Sequence, residues 1–207
     1  MSDYFRLLGE PRRPWIDPEA LKRKFLSLSA EAHPDRFHHA DDAARREAGP
    51  RFAELNAAYQ CLRESKTRIA HLLHLERGAP PARVDSIPEE TMTLFSRVAE
   101  SCHELDGLLK ERAALTSPLL KATWFEKAQP ALDNLQGLLD GIRAAQRDLE
   151  ARLKSLNTRW EETAGAPAHQ DAGELPLDEI EQLYRQFGYL NRWEQQLQER
   201  LVQCSFP

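Results

Sequence analysis

The chain has 207 residues, 41% of them hydrophobic and 29% charged, with a net charge of -5, enough apolar material for one large core or two small ones. Its unbroken apolar runs reach only three or four residues, far short of the ~20 that cross a bilayer, and the polar start MSDYFRLLGE has no signal-peptide stretch, so a soluble, cytoplasmic protein with no membrane partner is expected. The charge is uneven, 14 Lys and Arg against 12 Asp and Glu in residues 1–78 and 14 against 21 in residues 79–207, and neither part has the dense basic footprint of a nucleic-acid binder.

Leu, Ala, Glu, Gln and Arg are abundant and Val and Ile scarce, which predicts an all-α fold. Asp3 is placed to cap a short first helix through Leu8, and Gly9-Glu10-Pro11 ends it. Asp17-Pro18-Glu19 opens a second helix, with a cap followed by proline in the first turn. Leu21, Phe25, Leu28 and Ala32 recur along it at helical spacing, while Lys22, Arg23 and Lys24 lie mostly off that stripe on a cationic, solvated face. Pro34 cannot continue the helix, so His33-Pro34-Asp35 is expected in a loop. A third helix is predicted from about Asp41, with Phe52, Leu55, Ala58, Tyr59 and Leu62 on its apolar face. Pro50 either kinks that helix or delays its start to about Gly49. A short fourth helix, Ile69 to Leu75, ends at Gly78.

Residues 78–88, GAPPARVDSIP, mark a boundary, giving a front module 1–78, a linker 79–87 and a rear module 88–207. Ser86 and Glu89 have capping-box spacing. The helix they open carries Leu94, Val98, Cys102, Leu105 and Leu109 on one face. A long second helix displays Leu132, Leu135, Leu139, Ile142, Leu149, Leu153, Leu156 and Trp160, with Pro130 expected to kink or shorten its start. A third carries Ile180, Leu183, Phe187, Leu190, Leu197 and Leu201, with Trp193 near the seam. Steps alternating between three and four predict a three-helix antiparallel coiled-coil bundle, in which Thr163 to Leu175 is a mobile loop.

Several chemistries find no support. Cys61, Cys102 and Cys204 are odd in number and widely spaced, which suits reduced thiols better than disulfides or a zinc knuckle. His38-His39 and His71-x-x-His74 lack accompanying Cys or carboxylate ligands and read as surface or packed histidines, so no metal or other cofactor is expected. No phosphate-binding Gly-rich loop or Gly-x-Ser-x-Gly elbow is present. The chain does not read as an enzyme.

His33-Pro34-Asp35 occurs by chance in about one chain of this length in forty, so its setting decides its meaning. It follows a basic amphipathic helix and precedes Arg36-Phe37. With the Tyr4-Phe5 first helix and the Asn56-Ala57-Ala58-Tyr59 segment, residues 3–65 resemble a J-domain. Asp3-Tyr4-Phe5-Arg6-Leu7-Leu8-Gly9, His33-Pro34-Asp35-Arg36-Phe37, Leu55-Asn56-Ala57-Ala58-Tyr59 and Arg68-x-x-x-Leu72-Leu73 before Gly78 are similar to the HscB family of J-protein co-chaperones, as is Tyr189-Leu190-Asn191-Arg192-Trp193 in the last helix.

The resemblance implies a protein that stimulates ATP hydrolysis by a DnaK-type chaperone through its front module and carries an iron–sulfur scaffold protein of the IscU type on its rear bundle. From the residues themselves, Asp35 offers a carboxylate on a proline-stiffened bend, suited to an arginine of a partner ATPase. Lys22, Arg23 and Arg36 add a positive surface that steers an acidic partner. Leu26, Ser27 and Glu31 interrupt the basic face where many J-domains continue it. By the resemblance, aligned on Glu104-Leu105-Asp106, the client patch falls on Phe95, Ser96, Ala99, Glu100 and His103, with Tyr189 as its aromatic. Phe95 and Tyr189 both flank the apolar seam and are expected to stay partly exposed. Ser96, Ala99 and His103 depart from the family pattern, which leaves a different client open. A self-associating coiled coil with a vestigial J-domain is the reading of another class, against which a monomer is expected.

Overall fold

A computed structural model describes residues 2–37, 42–82, 89–164 and 174–205. Among them there are seven α-helices, one turn of 3₁₀ helix and no strand, so the all-α expectation holds. No helix among the described residues is long and apolar enough to cross a membrane.

Helix α1 (Tyr4–Leu7) begins where the Asp3 carboxylate accepts the N–H groups of Phe5 and Arg6 at 3.0 and 3.2 Å, two donors that the helix itself leaves unpaired. Gly9 follows with a φ of 64°, a left-handed turn for which glycine is the least strained residue. Helix α2 (Pro18–Ala32) repeats the device, Asp17 accepting from Ala20 N–H at 2.7 Å. Leu21 and Ala32 are buried, Phe25 and Leu28 half-buried, and Lys22, Arg23 and Lys24 exposed. At its end His33 is extended, with φ -61° and ψ 129°, the conformation imposed on a residue before proline. Pro34–Phe37 then form a 3₁₀ turn rather than an irregular loop.

Helix α3 (Asp42–Arg63) runs through Pro50, so its start is not delayed to Gly49. Pro50 lies on the exposed side, where a missing backbone bond is met by water. Helix α4 (Ser65–Arg77) starts a turn earlier than predicted and ends at Gly78, whose φ is 74° and whose N–H reaches His74 O at 2.9 Å, a left-handed helix stop. Residues 83–88, including Ser86 of the expected capping box, lie outside the described residues, as do His38, His39, Asp41 and most of the expected 163–175 loop.

Helices α5 (Glu89–Ala113), α6 (Pro118–Ala164) and α7 (Leu177–Ser205) are the three long helices of the bundle. Pro130 does not shorten α6, which starts twelve residues before it. The apolar stripes are core, with Leu105, Leu135, Leu139, Ile142, Leu153, Ile180, Leu183 and Leu197 essentially inaccessible; Leu108, rather than the predicted Leu109, is the buried member of that pair.

Packing groups the chain into two compact units, residues 1–82 with 150–184, and 83–149 with 185–207. The end of α6 and the start of α7 thus pack with the four front helices. In that first unit the Asn157 side chain, 8% exposed, brackets Trp15, accepting its N–H at 2.9 Å and donating to its C=O at 2.8 Å. Arg68, 3% exposed, donates to Pro14 O, Leu62 O and Ser65 Oγ at 2.7–2.9 Å, and Arg77 pairs with Asp178 and Glu181. In the second unit Trp124 Nε1 donates to Leu108 O at 2.8 Å. Glu194 there accepts from Arg143 and Gln146 at 3.1 and 2.9 Å, tying α7 to α6.

Candidate functional site

The bend after α2 is built from local contacts. Pro34 fixes the chain direction, Arg36 N–H donates to His33 O at 3.0 Å, and Arg36 Nη1 reaches back to Ala30 O at 3.4 Å. The His33 ring stands edge-on to Phe52 of α3, centroids 5.4 Å apart. Its Nδ1 accepts the Asp35 N–H at 3.3 Å and lies 3.6 Å from Asp35 Oδ2. The Asp35 side chain is 80% exposed. A carboxylate held on a proline-stiffened turn, with its own backbone donor already occupied by His33, is free to receive a cation from outside.

The cationic face beside it is narrower than the sequence suggests. Lys24, though still 45% exposed, is tied down, 2.6 Å from Glu10 Oε1 and 2.9 Å from Gly9 O. Glu10 is buried, its other oxygen taken by Arg13 at 3.1 Å. Lys22 and Arg23 stay exposed and have no ion-pair partner among the described residues. Phe25 stacks on Tyr59 with centroids 4.2 Å apart, which keeps the opposite side of α2 against α3.

In the second unit, Phe95, Ser96, Ala99, Glu100 and His103 are all exposed along α5. Tyr189 is not: it is 7% exposed, and its ring stacks with that of Trp193 at 5.8 Å. Phe95, 37% exposed, lies tilted against the same indole at 6.1 Å. Phe95, Val98, Ala99, Cys102, Trp193, Gln196 and Arg200 line a groove of about 260 Å³. Its polar edge is fixed, since Arg200 grips both Asp106 oxygens at 2.9 Å. That grip holds the Asp106 carboxyl below the usual carboxylate range. Burial pushes the Cys102 thiol up, so it stays protonated at neutral pH.

The chain is 30% identical over 170 residues to a co-chaperone protein HscB homolog of Cupriavidus taiwanensis, covering 82% of this chain and 85% of that protein. The chain belongs to the HscB co-chaperone family. No family model matches it. Chaperone HscB from Vibrio cholerae shares the fold, with a TM-score of 0.55 at 20% identity over 96% of both chains. Human co-chaperone protein HscB does so with a TM-score of 0.60 at 15% identity over 98% of this chain and 83% of the other.

In this HscB-family chain His33, Pro34, Asp35 and Arg36 form one compact turn, at the end of the helix that carries Lys22 and Arg23. Phe95 and Ala99 share a groove, whereas Glu100 lies outside its lining and Tyr189 is buried and stacked with Trp193 rather than an exposed contact. Trp193, Gln196 and Arg200 were not singled out from sequence as groove residues. Their signal was available in the spacing: 193, 196 and 200 share one face of α7, as 95, 98, 99 and 102 share one face of α5. His71 is a packed histidine. It is 2% exposed, accepts the Tyr4 N–H on Nε2 at 3.1 Å and stacks on Tyr4 at 4.7 Å. Its burial lowers its pKa.

Proposed function

We propose that this protein is a J-domain co-chaperone of the cytoplasm that stimulates ATP hydrolysis by a DnaK-type chaperone and delivers an iron–sulfur scaffold protein to it, performing no chemistry of its own. One observation carries the first half: the Asp35 carboxylate, 80% exposed, stands on a turn whose direction is fixed by Pro34, by His33 against Phe52 and by Arg36 against Ala30. An arginine of the ATPase domain pairs with it in a charge-assisted contact. Lys22, Arg23 and Arg36 raise the encounter rate with an acidic partner surface at moderate salt.

The second half rests on the groove beside Phe95. A client side chain seated against Phe95, Ala99 and the Trp193 edge is desolvated there, while Glu100 and the Asp106–Arg200 pair set the polar rim. The small Ser96 and Ala99, together with a buried Tyr189, favour as a second reading a client other than the iron–sulfur scaffold.

Steady-state ATPase activity with the cognate chaperone tests the front half. Asp35→Asn and His33→Gln are expected to abolish stimulation with the thermal midpoint of Asp35→Asn within about 1 °C of the parent, since an exposed side chain contributes little to stability. Stimulation equal to the parent by both variants refutes it. For the rear half, Phe95→Ala is expected to release the scaffold protein in a pull-down; full retention points to another surface or another client.

A further inference from the structure

We propose that Leu26 is an apolar anchor at the centre of the chaperone-docking face of α2, and that the acidic ATPase surface it meets carries an apolar spot ringed by carboxylates. This rests on the co-chaperone reading above and adds to it the chemistry of the partner surface.

Leu26 is 55% exposed in a helix whose other large apolar side chains are buried (Leu21) or half-buried (Phe25 and Leu28). A lone exposed leucine is ordinary on a protein surface. Its position is what gives this one meaning. Residues 22, 26, 30 and 33 follow one another at steps of four, four and three, so they form a single line along the helix surface. The line begins at exposed Lys22, with Arg23 beside it, passes Leu26 and exposed Ala30, and ends at His33. Arg36 Nη1 closes it by donating to Ala30 O at 3.4 Å. Apolar side chains thus occupy the middle, with cations at one end and the Asp35–Arg36 turn at the other.

That arrangement is the anatomy of a protein interface, an apolar centre within a polar rim. Charge selects the occupant. With Lys24 paired to Glu10, the outward cations are Lys22, Arg23 and Arg36; exposed Glu19 and Glu31 share the helix surface, so it is the cations next to Leu26, rather than the net charge of the helix, that suit carboxylates ringing an apolar spot. Leu26, Ser27 and Glu31 in place of a continuous basic face, with Lys24 paired to Glu10, shift the contact from long-range attraction toward short-range apolar fit. Such a face discriminates between chaperones that share acidic charge but differ in the apolar spot.

The test compares the chaperone concentration giving half-maximal ATPase stimulation for the parent, Leu26→Ala, Leu26→Lys and Lys22→Ala, at about 50 and 300 mM salt. Leu26→Ala is expected to raise it about five-fold at both salt concentrations, the size for removing from the interface roughly half a leucine side chain. The Lys22→Ala loss is expected to shrink at high salt, where exposed charges are screened. Alanine is at least as good a helix former as leucine, so circular dichroism of Leu26→Ala should match the parent. A Leu26→Ala variant indistinguishable from the parent overturns the inference, as does a Leu26→Lys variant that works at lower concentration. A parent that sediments as a dimer which Leu26→Ala dissociates also overturns it, by making a second copy the occupant. If the parent itself fails to stimulate, or Asp35→Asn stimulates fully, the co-chaperone reading fails and this inference with it.

Discussion

Asn157→Ala removes two hydrogen bonds at once and leaves both halves of the Trp15 peptide backbone without their partner. The bonds are 2.9 Å from Trp15 N–H and 2.8 Å to Trp15 C=O, and Asn157 is 8% exposed, so water does not readily replace it. Each such bond contributes about 0.5–1.5 kcal/mol net, and an orphaned group costs about 1–3 kcal/mol when fully buried. Trp15 is only half-buried, which places the sum at about 2–4 kcal/mol. For a chain of this size that lowers the thermal midpoint by about 5–15 °C. Thermal unfolding followed at 222 nm reads this, and amide exchange at Trp15 reports whether the loss is local. Asn157→Asp gives an internal check: its carboxylate still accepts the Trp15 N–H but faces the Trp15 carbonyl oxygen. Ionisation is disfavoured there, so the new carboxyl has a folded pKa above its unfolded one, and its deficit should shrink as the pH falls. A midpoint for Asn157→Ala within about 2 °C of the parent would falsify the bracket as a stabilising feature.

Two further outcomes follow from burial. His71 is neutral in the folded state because burial lowers its pKa, while the unfolded chain takes up the proton near pH 6.5; its contribution is therefore intact above about pH 6.5 and lost progressively as the pH falls below it. The midpoint difference between pH 7.5 and 5.5 should be smaller in His71→Gln, whose side-chain oxygen can accept the Tyr4 N–H, and an equal difference in the two proteins refutes the assignment. Tyr189→Ala should cost about 3 kcal/mol, since it empties a covered aromatic site, whereas Phe95→Ala, at an exposure of 37%, should change the denaturation midpoint little. A Tyr189→Ala protein as stable as the parent contradicts the stack with Trp193.

What the sequence made legible was carried by signals that act within a turn or two. Asp3 and Asp17 each have the oxygen, the spacing and the following helix that a cap needs, and both cap in the structure. Pro34 stops α2 because no backbone N–H is left to continue it, and Gly78 stops α4 because its left-handed turn strains any other residue. The leucine stripes of α5, α6 and α7 report their buried faces since period alone decides which side chains meet. Prolines were less readable. At positions 50 and 130 the rule names a cost but not whether neighbouring turns repay it, and both helices continue.

Pairings across long sequence separations left no such trace. Asn157 sits beside Leu156 in an otherwise apolar stripe, and nothing local identifies a backbone 142 residues away as its partner. Lys24 counts with Lys22 and Arg23 in any reading of charge, yet the fold buries Glu10 next to it and pairs its ammonium there. Tyr189 and Phe95 have equivalent seam-edge positions in their own helices. Both rings meet Trp193, at 6.1 and 5.8 Å, yet Phe95 is 37% exposed and Tyr189 only 7%, a difference the spacing within one helix does not carry. Each case turns on packing outside the residue's own helix, and the last two change the site: two unpaired cations rather than three on α2 among the described residues, and one exposed aromatic rather than two at the groove. On the proposed reading, the surface offered to a chaperone is therefore less charged, and the surface offered to a client less aromatic, than the residues alone suggest. If both proposals hold, apolar fit at Leu26 and at Phe95 carries a larger share of recognition than charge does.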